Sequence, residues 1–427
     1  MGQLEMKTAI PLAIQHVFAM FGATVLVPIL TGLNPSVALF TAGLGTLIFH
    51  FVTKGQVPVF LGSSFAFIAG IIAVGNSFGL AYATGSMIAV GAVYLLMSFI
   101  VSSVGTEKVL KLFPPIVVGP IIMVIGLTLA PVAVDMASAN WPLAIFTAVT
   151  VVFVSMWAKG FFKLIPLLTG IIAGYVVAAI LGIIDFAPVN EAAWLAIPSF
   201  MAPQFSISAM LIIVPIALVT IIEHIGDITT NGAVVGKDFM KEPGLNRTLI
   251  GDGLATTLAG LFGGPANTTY GENTGVLAIT KNYNPAIIRM GAVFAILLSF
   301  IGKLGALLQT IPLAVMGGIS FILFGMIASV GVKTLVDSAP DLSNLRNSSV
   351  VFAVLIVGIV SITGYVNPAN NILLIQVSEN ASLTGLSLAA IVGILLNGVY
   401  ELFAPKTETE EEEEADFVAK ENPNLAK

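Results

Sequence analysis

Apolar runs about as long as a bilayer is thick follow one another along almost the whole chain. A helix needs about 20 apolar residues to cross a membrane. Of the 427 residues, 57% are hydrophobic and 9% are charged, whereas a soluble domain carries roughly 25% charged residues. The sequence therefore predicts an all-α polytopic membrane protein with fourteen transmembrane segments, at 9–30, 35–52, 57–74, 80–103, 114–133, 141–158, 164–184, 205–227, 247–263, 266–281, 287–302, 312–332, 349–365 and 386–404.

The basic residues predict how these segments are oriented. With fourteen segments both termini lie on one side of the membrane, and cytoplasmic loops carry an excess of Lys and Arg. Sixteen of the 17 basic residues fall on the side of the termini, and the opposite side receives Lys303. We therefore expect a protein of the inner cell membrane, surrounded by lipid, with both termini in the cytoplasm.

Composition excludes several other classes of protein. The chain has no Cys and three His, which excludes disulfide frameworks, thiolate metal sites and Cys nucleophiles. Most of the net charge of −6 lies in the acidic stretch at 405–427, for which we predict a disordered cytoplasmic tail. The nearly neutral remainder is not typical of a nucleic-acid-binding protein. No pairing of a nucleophile with a base is apparent, so we predict neither an enzyme nor a bound cofactor or metal.

A short pattern recurs in the two halves of the chain. The segments 114–121 and 312–319 share the pattern P-x-x-V-x-G-x-I at an offset of 198 residues. They open the fifth and twelfth transmembrane segments, and because these are an odd number of segments apart, the second copy must be inverted. The sequence therefore predicts a seven-plus-seven inverted repeat, which is typical of secondary transporters with a substrate site at the repeat interface.

Acidic residues inside the apolar segments are candidate functional groups, because a charge within a bilayer is costly. Glu223 and Asp227 are four residues apart and share one helix face. Two such carboxylates in a low dielectric favour the protonated form of at least one, so Glu223 is a candidate proton carrier. Asp227 is either its partner or a cap at the helix end. We interpret His224, which points about 100° away, as a packing residue and Asp252 as a structural hydrogen-bonding group.

The third and tenth segments interrupt their apolar runs with Gly, Ser, Thr or Asn. They read VPVFLGSSFAFIAG at 57–70 and GGPANTTYGENTGVLAIT at 263–280. Non-helical backbone at membrane depth is tolerated only where protein or a cavity surrounds it. Interrupted segments at corresponding places in two halves indicate the binding site of a transporter. We therefore predict that both segments are discontinuous and contribute to a substrate site.

These interrupted segments offer groups that suit a small, flat, polar ligand. We expect free N–H groups of Ser64, Phe65 and Gly271, at the starts of half-helices, to donate to ligand carbonyl oxygens. Glu272 lies on such a helix start and can accept from a ligand N–H group, while Phe65 or Tyr270 can stack on a flat face. No cluster of Arg is present to bind a phosphate or sulfate.

The run ENTGVLAITK at 272–281 resembles the signature [Q/E/P]-N-x-G-x-x-x-x-T-[R/K/G] of the nucleobase–ascorbate transporters, also called the nucleobase:cation symporter-2 family. QH at 15–16, FAMFGATVLVP at 18–28, LGSSFAF at 61–67 and EHIG at 223–226 are also similar to this family, and most similar to its bacterial uracil permeases. The resemblance covers about residues 8–404.

The resemblance implies two domains within the seven-plus-seven fold. A core domain would comprise segments 1–4 and 8–11, at 1–103 and 205–302. A gate domain would comprise segments 5–7 and 12–14, at 104–204 and 303–404. Segments 3 and 10 would each contain a short strand and a half-helix. Members are proton symporters and commonly homodimers, so we expect the proton as coupling ion and a homodimer.

The resemblance also implies roles for particular residues. Glu223 and Glu272 would bind the N–H groups of uracil, and Glu223, sharing with Asp227, would carry the proton. The backbone amides of Phe65 and Gly271 would meet the uracil carbonyl groups. The positions that would complete the pocket are Ala23 and Tyr270 on the core domain and Ser320 and Phe324 on the gate domain.

Three positions bear on the choice between uracil and a purine. Glu272 begins the signature as in uracil transporters, whereas xanthine and urate transporters usually have Gln there. Asp227 stands where uracil permeases can carry His and xanthine permeases have Asp, and Phe324 replaces a Tyr. We favour a proton-coupled uracil importer, with a xanthine or purine symporter as the alternative. An anion transporter of similar architecture is disfavoured by Glu223 and Glu272.

Overall fold

The computed structural model describes residues 6–366, 375–378, 381–383 and 385–403. The described residues form α-helices joined by short connections, together with four short strands. The disordered tail predicted at 405–427 lies outside the described residues.

The first half of the chain contains ten α-helices and one strand. In chain order these are α1 (Met6–Thr31), α2 (Pro35–Val52), β1 (Leu61–Ser63), α3 (Ile68–Ser77), α4 (Leu80–Val104), α5 (Thr106–Leu110), α6 (Pro115–Thr128), α7 (Ala130–Ser138), α8 (Trp141–Trp157), α9 (Pro166–Ile180) and α10 (Ala187–Glu191). Short 3₁₀ turns cover Phe65–Phe67 and Gly160–Leu164.

The second half adds the remaining helices and strands. These are α11 (Ile207–Ile213), α12 (Ile216–Val235), α13 (Leu245–Leu261), β2 (Asn267–Thr269), α14 (Gly271–Thr280), α15 (Pro285–Ser299), α16 (Gly302–Gln309), α17 (Leu313–Ser338), α18 (Leu345–Val366), β3 (Ile375–Ser378), β4 (Ala381–Leu383) and α19 (Gly385–Phe403). A π-type turn at Met240–Gly244 precedes α13.

Seven helical stretches among the described residues are long and apolar enough to cross a membrane. They are Met6–Thr31, Pro35–Val52, Leu80–Val104, Pro115–Ser138, Ile207–Val235, Leu313–Ser338 and Gly385–Phe403. Shorter apolar helices lie between them in the chain, at Phe65–Ser77, Trp141–Trp157, Pro166–Ile180, Pro285–Ser299 and Leu345–Val360. The protein is therefore a multi-pass helical membrane protein, as the apolar runs predict.

Local sequence explains where α2 and α15 begin, because each starts with an Asn-Pro pair. Asn34 Oδ1 accepts a hydrogen bond of 2.8 Å from the backbone N–H of Ser36, and Asn284 Oδ1 accepts one of 3.0 Å from that of Ala286. Each Asn thus satisfies an N–H group that has no partner inside the helix. Proline suits the first helical position because no N–H is needed there.

Small residues let α2, α4, α13 and α15 approach one another closely. A Cβ atom at Gly253 of α13 would lie 2.7 Å from Tyr94 Cβ and 3.0 Å from the carbonyl oxygen of Gly91 on α4. A Cβ atom at Gly43 of α2 would lie 3.2 Å from Ile296 N on α15. Close backbone approach through small residues is how helices associate in a membrane, where lipid is as apolar as the side chains.

The strands β1 and β2 pair antiparallel, with Leu61 opposite Thr269 and Ser63 opposite Asn267. Both lie in the segments whose apolar runs are interrupted, and all six residues are buried. Because the strands are antiparallel, α3 and α14 leave the pair in opposite directions. The pairing therefore brings the starts of α3 and α14, which are distant in sequence, to the two ends of one short strand pair.

The linker between α10 and α11 is held against the end of α15. Leu195 and Ile301 form an isolated antiparallel bridge, flanked by backbone hydrogen bonds of 2.9 and 3.0 Å. The Lys303 ammonium donates to the carbonyl oxygen of Val189 at 2.8 Å and lies 5.6 Å from the ring centroid of Trp194. These contacts tie α10 to the start of α16.

Candidate functional site

The candidate site is built on the two helix starts that follow β1 and β2. The 3₁₀ turn at Phe65–Phe67 leads from β1 into α3, and α14 begins at Gly271, two residues after β2. The first N–H groups of a helix have no intrahelical acceptor and form the positive end of the helix dipole. Two such ends, one at each end of the β1–β2 pair inside an apolar bundle, favour a ligand with exposed oxygen atoms.

The prediction that the Ser64 N–H group is free is wrong. This group donates a hydrogen bond of 2.9 Å to the carbonyl oxygen of Ala266, because the pairing of β1 with β2 continues by one bond beyond the strand. Phe65, the next residue, is half-buried and begins the 3₁₀ turn. Phe65 and Gly271 remain the candidates for backbone donation to a ligand.

Three carboxylates surround the start of α14. Glu223 and Asp227 lie on α12, Glu272 lies in the first turn of α14, and all three are half-buried. Glu223 interacts electrostatically with Glu272, and Asp227 interacts with both. The ion pairs found within the described residues involve none of the three. The site therefore offers carboxyl groups as hydrogen-bond acceptors without a basic side chain in salt-bridge contact.

Asp227 does not cap a helix end, which corrects one of the two interpretations of its role. The helix α12 continues to Val235, beyond the predicted segment end at 227. Asp227 Oδ2 instead accepts a hydrogen bond of 2.8 Å from the hydroxyl of Thr269 at the end of β2. This contact places the Asp227 carboxylate beside the start of α14.

Open space lies beside these carboxylates. Gly226 on α12 and Gly271 and Gly275 on α14 are exposed, although Asn273 on the other face of α14 is buried. A Cβ atom at Gly226 or Gly275 would meet nothing within 4 Å, and one at Gly271 would meet Asp227 Oδ1 at 4.0 Å. A small ligand can therefore lie against the backbone of α14 between the acidic side chains.

Tyr270 supports the site from behind. Its side chain is 3% exposed, its hydroxyl donates to the carbonyl oxygen of Ser63 at 2.9 Å, and its backbone N–H donates to Phe60 O at 3.0 Å. The Thr24 hydroxyl lies 3.4 Å from the Tyr270 hydroxyl. Tyr270 therefore fixes β1 against β2 and α1, whereas the half-buried Phe65 is the more accessible of the two rings predicted to stack on a ligand.

The remaining predicted pocket positions come together around one apolar cluster. Ala23 of α1, Tyr270 and Phe324 of α17 belong to the same buried cluster, and Phe65 packs against it. Ser320 lies one turn before Phe324, is fully buried, and its hydroxyl has no hydrogen-bond partner among the described residues. The structure thus gathers these side chains, while their roles in binding stay predictions.

Sequence reasoning missed several polar side chains that hold this region together. Asn273 Nδ2 donates to the carbonyl oxygen of His16 at 3.0 Å, which joins α14 to α1. Asn231 Nδ2 lies 3.0 Å from Thr274 Oγ1, and Thr269 contacts Asp227. Each of these side chains could have been identified from the sequence as a polar residue within or next to an apolar segment, where it needs a hydrogen-bond partner. Which partner it finds depends on the fold.

His224 and Asp252 form a buried pair next to the site. His224 Nδ1 lies 3.1 Å from Asp252 Oδ2, and both side chains are fully buried. His224 is therefore a packing residue in contact with Asp252, and the role of Asp252 as a structural hydrogen-bonding group stays a prediction. No group of three or more potential metal ligands occurs in the part of the chain that the structure describes.

Acidic side chains and interrupted helices inside an apolar bundle are typical of a membrane transport protein. The sequence profile described as "Permease family" (Xan_ur_permease) matches residues 7–367, and the chain belongs to this family. It is accordingly a transporter of the permease class and not an enzyme.

Curated relatives match over nearly the whole chain. The probable uracil permease of Haemophilus influenzae is 45% identical over 408 residues, which cover 93% of this chain and 95% of the relative. The uracil permease of Bacillus subtilis is 44% identical and covers 90% of this chain and 91% of the relative. Among solved structures, the transmembrane domain of a cyanobacterial bicarbonate transporter, BicA, superposes with a TM-score of 0.63 at 15% identity, covering 93% of this chain and 98% of that chain. At this identity the likeness concerns the fold alone.

Proposed function

We propose that the protein imports uracil together with protons across the inner cell membrane. The observation that carries this proposal is the set of three carboxylates around the helix start at Gly271. Uracil is a flat ring whose edge alternates N–H and carbonyl groups. Glu223 and Glu272 accept from the N–H groups, and the backbone amides of Phe65 and Gly271 donate to the carbonyl groups. The uracil permeases among the relatives support this choice of substrate.

The transport step in this proposal is alternating access. The fourteen segments form a seven-plus-seven inverted repeat, with segments 3 and 10 as discontinuous spans that carry β1 with α3 and β2 with α14. The core domain (1–103 and 205–302) moves against the gate domain (104–204 and 303–404), which contributes Ser320 and Phe324 to the site. Both termini lie in the cytoplasm, and the working unit is a homodimer.

Proton coupling is assigned to Glu223, which shares the proton with Asp227. The two carboxylates lie one turn apart on α12 and interact electrostatically with each other and with Glu272. Three negative charges together in a low-dielectric site repel one another. Binding a proton relieves this repulsion and favours loading of a neutral substrate, and deprotonation on the cytoplasmic side favours release.

The fold alone is compatible with carrying anions, because it resembles that of a bicarbonate transporter. The proposed site is not suited to an anion, because the carboxylates of Glu223, Asp227 and Glu272 would repel it. No basic side chain of the described residues forms an ion pair with them. Xanthine remains the second candidate, favoured by the Asp at position 227.

Uptake of labelled uracil into proteoliposomes tests the proposal. We expect an inward proton gradient to drive accumulation and an excess of unlabelled xanthine to leave it unchanged. If unlabelled xanthine abolishes the uptake of labelled uracil and is itself transported, the protein would instead be assigned as a purine symporter. Absence of transport of either nucleobase would overturn it.

A further inference from the structure

One acid next to the proposed site is assigned neither to substrate binding nor to proton binding, although it interacts electrostatically with Glu223 and Asp227. Asp252 of α13 is fully buried, and its Oδ2 lies 3.1 Å from Nδ1 of His224 on α12, which is also fully buried. Removing an ionisable pair from water carries a desolvation cost that mutual attraction repays poorly, and intramembrane acids are rare for that reason. The pair therefore calls for an explanation other than stability.

Aromatic rings enclose the His224 side chain on its other sides. Phe49 of α2 and Tyr94 of α4 meet the imidazole edge-on, with ring centroids 6.3 and 6.4 Å away. The imidazole is thus fixed by the Asp252 carboxylate and two rings, and α2, α4 and α13 together enclose one side chain of α12.

Glu223, which directly precedes His224, depends on the rotation of α12. Two further contacts hold the helix near the same face: Thr269 with Asp227 at 2.8 Å, and Asn231 Nδ2 with the carbonyl oxygen of Pro58 at 3.2 Å. Positions 224, 227 and 231 follow the three- and four-residue spacing of one helix face. A rotation of α12 by about 10° would move a carboxylate at its periphery by about 1 Å.

We propose that His224 and Asp252 are positioning residues that fix the rotation of α12 and so the direction in which Glu223 presents its carboxylate to the substrate. This inference rests on the proposed function, because it takes Glu223 as a substrate-binding group. Neither residue touches the substrate. A displacement of about 1 Å in a binding group can cost roughly 10²-fold in rate, so a rigid support for Glu223 has a direct consequence for transport.

Two substitutions at His224 separate positioning from general packing. His224→Leu places an apolar side chain of similar size between Phe49 and Tyr94 and removes the contact with Asp252. His224→Asn retains an N–H donor near the position of Nδ1. We expect His224→Leu to raise the Kd for uracil about 10-fold, and His224→Asn to stay within about twofold of the unmodified protein. Binding is measured by calorimetry on the full-length protein in detergent.

A double-mutant cycle shows whether the effect passes through Glu223. In a Glu223→Gln background, His224→Leu should cause no further rise in Kd, because the group that it positions is already altered. In a Glu272→Gln background, the rises in Kd caused by His224→Leu and by Glu272→Gln should multiply. Glu272 lies on α14, so its position does not depend on the rotation of α12. Equal effects of His224→Leu in both backgrounds would overturn the assignment.

The melting temperature of the ligand-free protein separates this role from a structural one. The matched control is Asn397→Ala on α19, where a fully buried side chain donates to Lys111 O at 3.4 Å, and it should lower Tm without changing Kd. The same pattern in His224→Leu would overturn the proposal. If His224→Leu does not fold, Asp252→Asn is measured in the same cycle.

The ligand in this cycle is whichever of uracil and xanthine the unmodified protein binds, so the positioning role is tested even if the proposed substrate is wrong. An unmodified protein that binds neither would overturn the proposed function and the positioning role together. Failure of the cycle with a ligand that does bind would overturn the positioning role alone.

Discussion

The hydroxyl of Thr269 donates a hydrogen bond of 2.8 Å to Asp227 Oδ2. This contact joins the end of β2 to the acidic face of α12. Asp227, which is proposed to share the proton, is therefore hydrogen-bonded to the same interrupted segment that carries Glu272. In the proposed function the proton and the substrate would therefore bind to neighbouring parts of one structure, which is the arrangement that coupling between them requires.

Replacing Thr269 by Val should destabilise the protein. The substitution keeps the shape of the side chain but leaves the half-buried Asp227 carboxylate without its donor, at a cost of about 1–3 kcal/mol, seen as a lower Tm. Thr268→Val is the matched control, because the buried Thr268 hydroxyl has no hydrogen-bond partner among the described residues. An equal fall in Tm for both variants would contradict the importance of the contact with Asp227.

Glu272→Gln should weaken uracil binding about 10-fold or more, because it replaces a hydrogen bond to a charged acceptor with one to a neutral acceptor. The Kd measured by calorimetry tests this. Glu242→Gln is the control, since Glu242 lies away from the site and accepts from Gln56. An unchanged Kd in Glu272→Gln would remove Glu272 from the substrate site.

Glu223→Gln should abolish gradient-driven accumulation more severely than it reduces exchange of internal for external uracil. Glutamine cannot take up and release a proton, whereas exchange does not require net proton movement. Comparing the two assays in the same proteoliposomes tests the assignment. Equal losses in both would instead indicate that Glu223 binds substrate without carrying the proton.

Gly271→Ala should weaken uracil binding several-fold while leaving the fold intact. The added methyl group has room, with Asp227 Oδ1 as its nearest neighbour at 4.0 Å, but it occupies space that the ligand needs. Gly62→Ala should instead lower Tm, because its Cβ would lie 2.6 Å from the Thr24 hydroxyl and collide with the Tyr270 ring. Unaltered uracil affinity in Gly271→Ala would place the ligand elsewhere.

The bridge between Leu195 and Ile301 predicts an engineered disulfide. The two flanking backbone hydrogen bonds mark this pair as the non-hydrogen-bonded type, whose Cα atoms are about 4.5 Å apart, within the range for a disulfide. The chain contains no Cys, so Leu195→Cys with Ile301→Cys should lose reactivity toward maleimide on oxidation. Continued labelling of both thiols would contradict the placement of this linker.

The parts of the site that could be predicted are those with a strong local signal. A carboxylate inside an apolar run is rare enough to identify Glu223, Asp227 and Glu272 as functional candidates. The interrupted runs likewise predict non-helical backbone in the two segments that contain β1 and β2, because Gly, Ser, Thr and Asn break helical periodicity at membrane depth. The strands themselves are implied only by the family resemblance.

The parts that could not be predicted depend on contacts between distant segments. The sequence predicts a free Ser64 N–H group, because its acceptor, Ala266, lies in the other half of the chain. The eighth segment is predicted to end at Asp227, whereas α12 continues to Val235. Asn231 is buried, and its Nδ2 reaches the carbonyl oxygen of Pro58, a partner that only the folded chain provides.

The central claim, that uracil and protons move together through the site at Glu223, is tested most directly by proton movement that uracil itself drives. Proteoliposomes holding a pH-sensitive dye and no initial gradient would receive external uracil. The account predicts internal acidification that follows uracil uptake and is lost in Glu223→Gln. Uracil uptake without any acidification would contradict it.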